Sequence, residues 1–183
     1  MAAKIWITPP AMFLITSAAA LCMSVLTGCS DTGTPADTGV VRVDITDDAG
    51  EQHTFFVEPA LDNETRVLGL SHRTEIAPDG GMIFVFRTPR VQNFVMRHCP
   101  IPIDIVYLDA EARVVAQHAM VPEEPQREGE SDADYEGRLP KYSSRFSVPI
   151  VLEFAAGTNE RLGIDEGDVI KVYGLNDLRK RAR

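Results

Sequence analysis

The sequence predicts one mainly β domain over residues 40–183, an antiparallel sandwich or barrel-like fold with one or two short helices. Three observations lead there. Apolar residues recur with the period of two that a half-buried strand requires, as where Val41, Val43 and Ile45 alternate with Arg42, Asp44 and Thr46. Turn signals of Asp, Gly and Asn punctuate short apolar runs throughout. Stretches with the helical period are few and brief.

The elements follow in order. After the strand beginning near Val41, Asp47-Asp48-Ala49-Gly50 forms a turn signal, and 53–57 returns as its hairpin partner. Asp62 then offers an N-capping carboxylate with Glu64 in the first turn, so a short helix starts there and ends at Gly69. Gly80-Gly81 opens a strand over 82–86, and 94–98, 103–108 and 113–121 read as further strands. Residues 122–140 break the pattern, with three prolines and the acids Glu123, Glu124, Glu128, Glu130, Asp132, Asp134 and Glu136; they read as a mobile acidic loop. They lack the ligand spacing and glycine of a calcium loop. Strand character resumes over 148–154, a helical turn follows near 158–162, and 169–173 forms a last strand after Gly167-Asp168. The basic end Arg179-Lys180-Arg181-Ala182-Arg183 reads as a solvated, frayed terminus.

The first 39 residues belong to a different category. A lone charge at Lys4 precedes an apolar run over 11–26, short for a membrane span but suited to a signal segment. The run ends in Leu26-Thr27-Gly28-Cys29, which resembles the lipobox of bacterial lipoproteins. Cleavage after residue 28 would leave Cys29 to carry lipid, with 30–39 as a polar tether holding no large apolar side chain. The competing reading is an uncleaved signal anchor, which Pro9 and Pro10 disfavour. Both place the domain outside the cytoplasm, facing the periplasm. Ser30 at the position after the cysteine, by analogy with enterobacterial sorting, favours the outer membrane over the inner.

Composition limits the partners. Of 18 basic residues only Lys4 leaves with the leader, so 17 basic stand against 27 acidic residues in the mature chain. Such a surface repels phosphate backbones, and nucleic acid is not an expected partner. Cys22 leaves with the leader and Cys29 takes lipid, so Cys99 is a single thiol and no internal disulfide is expected. No phosphate loop, dinucleotide fingerprint or nucleophile elbow occurs, and no cofactor, metal or catalytic residue is assigned. His53, His72 and His118 show no ligand spacing. His98 and Cys99, on adjacent positions of a strand, would point to opposite faces and not chelate one ion.

Several blocks together resemble a known family. They are Arg66, Gly69-Leu70 and Arg73; Gly81-Met82-Ile83-Phe84-Val85-Phe86; Phe94-Val95-Met96-Arg97; Ile101-Pro102-Ile103-Asp104-Ile105-Val106-Tyr107-Leu108-Asp109; and Val151-Leu152-Glu153-Phe154 with Gly157, Gly163-Ile164 and Gly167-Asp168. In this order, over about 40–173, they resemble the family of domain of unknown function 192. The resemblance implies a compact β-rich domain, often exported, with no established activity. Ser71 stands where the family usually has Met, and Val95, Arg97, His98 and Cys99 depart from its usual Trp, Lys, Asn and Thr.

The charged residues inside apolar runs carry the chemistry. Asp104 interrupts a strand apolar on both faces, and Glu153 sits among Val151, Leu152 and Phe154. A buried carboxylate needs a partner or must be neutralised, and Arg66, Arg73 and Arg97 are the candidate partners. With Met96 and His98 from the central stretch, these residues form the candidate ligand-binding set. One reading is an ion network that fixes the fold; the other is a pocket for a small polar or anionic ligand. The leading functional reading is a membrane-tethered, non-catalytic binding or interaction module. An envelope enzyme, glycan-directed and using Asp104 or Glu153 near Arg66 and Arg97, is the alternative. Docking of an envelope protein through Phe94 and Val95 is a third.

Overall fold

The computed structural model describes residues 39–183, so the leader, Cys29 and the tether up to residue 38 lie outside the described residues. The domain is mainly β, with seven strands in one sheet ordered β5-β4-β6-β3-β2-β1-β7. The sheet is mixed, not purely antiparallel. β1 (Val41–Thr46) and β2 (Gln52–Ala60) form the expected hairpin, its turn held by N–H bonds from Ala49 and Glu51 to the Asp47 carboxylate. β2 then runs parallel to β3 (Gly80–Phe94). A parallel neighbour demands a crossover, supplied by α1 (Asn63–Leu68) and the loop after it. Asp62 caps α1 as the sequence indicates, accepting from the Thr65 N–H at 2.9 Å.

β3 pairs antiparallel with β6 (Tyr142–Ala155), and β6 with β4 (Ile103–Leu108), which pairs in turn with β5 (Val114–Met120). β7 (Lys171–Val172) completes the other edge against β1. The two edges meet: Val114 N–H donates to Asp168 O at 2.8 Å, and Ile170 N–H to Ala112 O at 3.0 Å. The sheet is therefore curled into a half-barrel with one end drawn together.

Two clusters of buried side chains lie on opposite faces of this curled sheet. The inner one joins Val43, Val57, Ile83, Val85, Val106 and Leu152 to Leu162, Ile164 and Leu178 from the helices and loops that cover it. The outer one joins Phe84, Met96, Ile105, Tyr107 and Val151 with Leu70 from the crossover. β4 is buried at all six positions, which is why its sequence is nearly continuous in apolar residues instead of alternating. Gly81 adopts φ 154°, and a Cβ there would come within 2.2 Å of Glu153 O; only glycine lets β3 approach β6 so closely at this point.

Among the described residues there are four short helices where the sequence indicates one or two. α1 and α3 (Thr158–Leu162) are the expected pair. α2 (Asp132–Arg138) forms inside the acidic segment, capped by Ser131 and anchored by the buried Tyr135, so the segment is built onto the domain. α4 (Leu175–Arg181) turns the basic end into a docked helix with Leu178 and Ala182 buried. The expected strand over 94–98 is also absent. β3 ends at Phe94, and the chain then turns through His98 at φ 53°.

Candidate functional site

Glu153 and Gln92 define the site. Each is held by the long β3–β6 pair, each is almost fully buried at 5% and 6% exposure, and each has one side-chain atom with no hydrogen-bond partner: Glu153 Oε2 and Gln92 Nε2. Both line the same cavity of about 280 Å³ on the outer face of the sheet. Its inner wall is apolar, from Phe84 and Met96, with Phe86 and Phe94 nearer the opening. Phe94 packs edge-on to Phe84 with ring centres 5.0 Å apart. Arg66, Arg90 and Arg97 stand around the mouth.

Burial sets the state of Glu153. Loss of water pushes its carboxyl up to about 8, and the charge of Arg73 only partly opposes this. At neutral pH the group is mostly a neutral acid. Cys99, also lining the cavity, is raised to about 11 by burial and then by the Glu153 charge; its thiol stays protonated and donates to Arg97 O at 3.5 Å. Cys99 is thus an inert thiol here.

The seven residues singled out from the sequence fall into separate places. Glu153, Arg66, Arg97 and Met96 gather at the cavity. Arg66 donates to Val85 O at 2.9 Å and to the terminal Arg183 O, and its guanidinium lies 5.2 Å from the Phe86 ring centre. Arg97 pairs with Glu136 of α2 and donates to Val67 O at 2.6 Å. Neither arginine touches Glu153 in a salt bridge. Arg73 is outside the cavity wall, held in a two-pronged pair with Glu58 at 2.6 and 2.7 Å. His98 turns away because of its positive φ. Its ring stacks on His72 at 5.1 Å, and its backbone N–H donates to the Tyr135 hydroxyl at 3.2 Å.

Asp104 is elsewhere altogether. It faces the inner side of the sheet and accepts the Asn159 N–H at 2.8 Å. α3 begins at Gly157, which has no side chain to cap it. The Asp104 carboxylate takes over that role from another strand, and burial nonetheless raises its pKa. Phe94 and Val95, read as exposed docking side chains, are partly buried.

Gln92 and Arg90 carried no usable signal in the sequence. β3 runs unbroken across 87–93, which the sequence reads as a gap between two strands, and Gln92 keeps the alternation of Phe84, Phe86 and Phe94, so its side chain faces the outer cluster. His53 departs from expectation as well: the hairpin sets its Nε2 2.8 Å from Asp47 Oδ2, with Glu51 close by. The Asp47 carboxylate is already occupied by the turn N–H groups of Ala49 and Glu51.

Comparison with known proteins supplies a family without supplying a reaction. The model of domain of unknown function 192, described as Uncharacterized ACR, matches residues 44–172. No curated protein matches the chain. A solved structure from Sinorhizobium meliloti 1021, described as a candidate transcription regulator, is 31% identical with a TM-score of 0.62, over 74% of this chain and 95% of that one. A protein of unknown function from Novosphingobium aromaticivorans DSM 12444 is 28% identical with a TM-score of 0.60, over 72% of this chain and 84% of that one.

Proposed function

The chain belongs to the family of domain of unknown function 192, and from that premise we propose that its outer-face cavity is a small-molecule site on a non-catalytic module of the cell envelope. One observation carries the reading: Glu153 Oε2 and Gln92 Nε2 are two buried, unpartnered polar atoms in one cavity. An unmet hydrogen bond in a buried setting costs about 1–3 kcal/mol. Two on residues that line a single cavity are what a site built for a ligand would retain. For the envelope-hydrolase alternative, which would use Asp104 or Glu153 near Arg66 and Arg97, only Glu153 lines a cavity with these arginines, and it has no second carboxylate from Asp104 beside it, which weighs against a paired-carboxylate hydrolase.

In this account the leader is removed, Cys29 carries lipid, and the ten-residue tether keeps the domain within about 35 Å of an outer-membrane surface. The acidic mature chain, which repels phosphate backbones, gives no support for carrying the description of the Sinorhizobium meliloti protein over to this chain.

A thermal-shift screen tests the binding reading. Both core clusters lie within residues 41–182, so a chain begun at residue 30 retains them. Cell-wall fragments, sugars, small acids and small amines are the compounds to screen. A ligand at a hundred times its Kd should add about 2.7 kcal/mol of stability, and the shift should be reduced in Gln92→Leu. A flat screen, together with a crystal cavity that takes up only water, would contradict the reading.

A further inference from the structure

We propose that the cavity takes a small carboxylate, its two oxygens received by Gln92 Nε2 and the Glu153 carboxyl and its apolar arm lying against Phe84, Met96 and Phe94. This rests on the binding reading above and names the ligand class for that site.

Gln92 Nε2 offers an N–H with nothing to receive it. Burial holds the Glu153 carboxyl near 8, so below that pH it carries a proton and offers an O–H. Two residues of the cavity wall therefore carry one sheltered donor each. A carboxylate has two acceptor oxygens in one plane and matches that pair, whereas an ammonium or guanidinium group brings only donors of its own.

The mouth selects in the same sense. Arg66, Arg90 and Arg97 surround it. Arg66 is held in place by Val85 O and Arg183 O, so its charge is fixed there. Glu136 also lines the cavity and is paired with Arg97, so Arg66 and Arg90 carry the excess positive charge that lowers the energy of an entering anion and raises that of a cation. A phosphate fits less well. Its third oxygen and second charge would meet Phe84 and Met96, where no donor exists to replace water. The volume of about 280 Å³ is just under the roughly 300–1,000 Å³ of pockets for drug-sized ligands. The apolar walls take a short aromatic or branched arm.

Binding through a protonated Glu153 ties affinity to pH. At pH 6 the protein carboxyl is neutral while the ligand acid is ionised, and the two share a short charge-assisted bond. Above about 8 Glu153 ionises and two carboxylates would face one another.

The test is NMR titration of the mature chain begun at residue 30 with three matched probes: phenylacetate, phenylacetamide and phenethylamine. Phenylacetate is expected to bind most tightly at pH 6, shifting the Met96 methyl and Gln92 side-chain amide signals. Its affinity should fall about tenfold per pH unit above about 8. Gln92→Leu should weaken it by about tenfold or more, the worth of one lost hydrogen bond to a charged group. Glu153→Gln keeps a donor and should bind phenylacetate at pH 6 while losing the pH dependence. Tighter binding of phenethylamine or phenylacetamide in the cavity overturns the carboxylate class and leaves the binding site standing. So does phenylacetate binding that is insensitive to pH and to Gln92→Leu. If no probe shifts a cavity signal, the carboxylate class is overturned, and a flat screen alongside it overturns the binding site too.

Discussion

Asp104 and Glu153 sit one position out of register on adjacent strands: Ile105 is the partner of Glu153, and Asp104 is the partner of Phe154. Because side chains alternate across a strand, that single step sends the two carboxylates to opposite faces of the sheet. One caps a helix on the inner side, and the other lines a cavity on the outer. They are two separate pieces of chemistry.

Asp104 is therefore a structural residue. Asp104→Ala leaves the first N–H groups of α3 buried without an acceptor, at a cost of about 1–3 kcal/mol in chemical denaturation. Phenylacetate affinity in the outer cavity should stay within about twofold of the parent, since distant sites with no shared partners act independently.

Glu153 makes stability depend on pH in a defined direction. Its folded pKa, about 8, exceeds the 4.5 of the free side chain. Between these values the unfolded chain has released the proton and the folded chain has kept it, so unfolding becomes easier as pH rises. The contribution is complete below about 4.5 and gone above about 8, with a slope of about 1.4 kcal/mol per unit between. Glu130, held down to about 2 by its bonds from Arg138, titrates well below this window. Urea midpoints at pH 5, 6, 7 and 8 for parent and Glu153→Gln give the contribution as the difference between the two curves, which should widen in favour of the variant as pH rises.

The C-terminal helix should be part of the cooperative fold. Leu178 packs into the inner cluster at 4% exposure, and the Arg183 N–H donates to Leu61 O at 2.8 Å. Leu178→Ala should cost about 2 kcal/mol or more, read as a lower melting temperature. Hydrogen exchange over 175–182 should slow to the rate of a packed helix and not a frayed end.

The anchor is tested on the native protein. Intact mass of the membrane-extracted chain should correspond to cleavage before Cys29 plus diacylglycerol and an acyl group, and Cys29→Ser should yield no lipidated species. A mature protein beginning at Met1 would contradict the lipoprotein reading.

Much of this molecule could be read in the sequence, because local physics decides those parts. The alternation of Val41, Val43 and Ile45 and the Asp62 cap both correspond to the elements found. So does the burial of Asp104 and Glu153, which follows from their apolar neighbours on β4 and β6. The partners of those carboxylates depend on register between strands far apart in the chain, which no local pattern carries. Arg73, eligible on charge alone, lies with Glu58 because β2 runs parallel to β3. Two missed helices did leave traces. Ser131 stands three residues before Asp134, a capping spacing hidden in an acidic composition. Leu175, Leu178 and Ala182 fall on one helical face, masked by the run of arginines. Gln92 falls in what reads as a gap between two strands, and only the continuous β3 gives it the face of Phe84 and Phe94.

The most direct test is a carboxyl carbon-13 titration of Glu153 by NMR, with and without phenylacetate. A midpoint near 8 in the free protein, rising further when phenylacetate is present, is what a buried acid facing a carboxylate site must give. A midpoint near the ordinary 4.5, or one that phenylacetate leaves unmoved, would contradict the account.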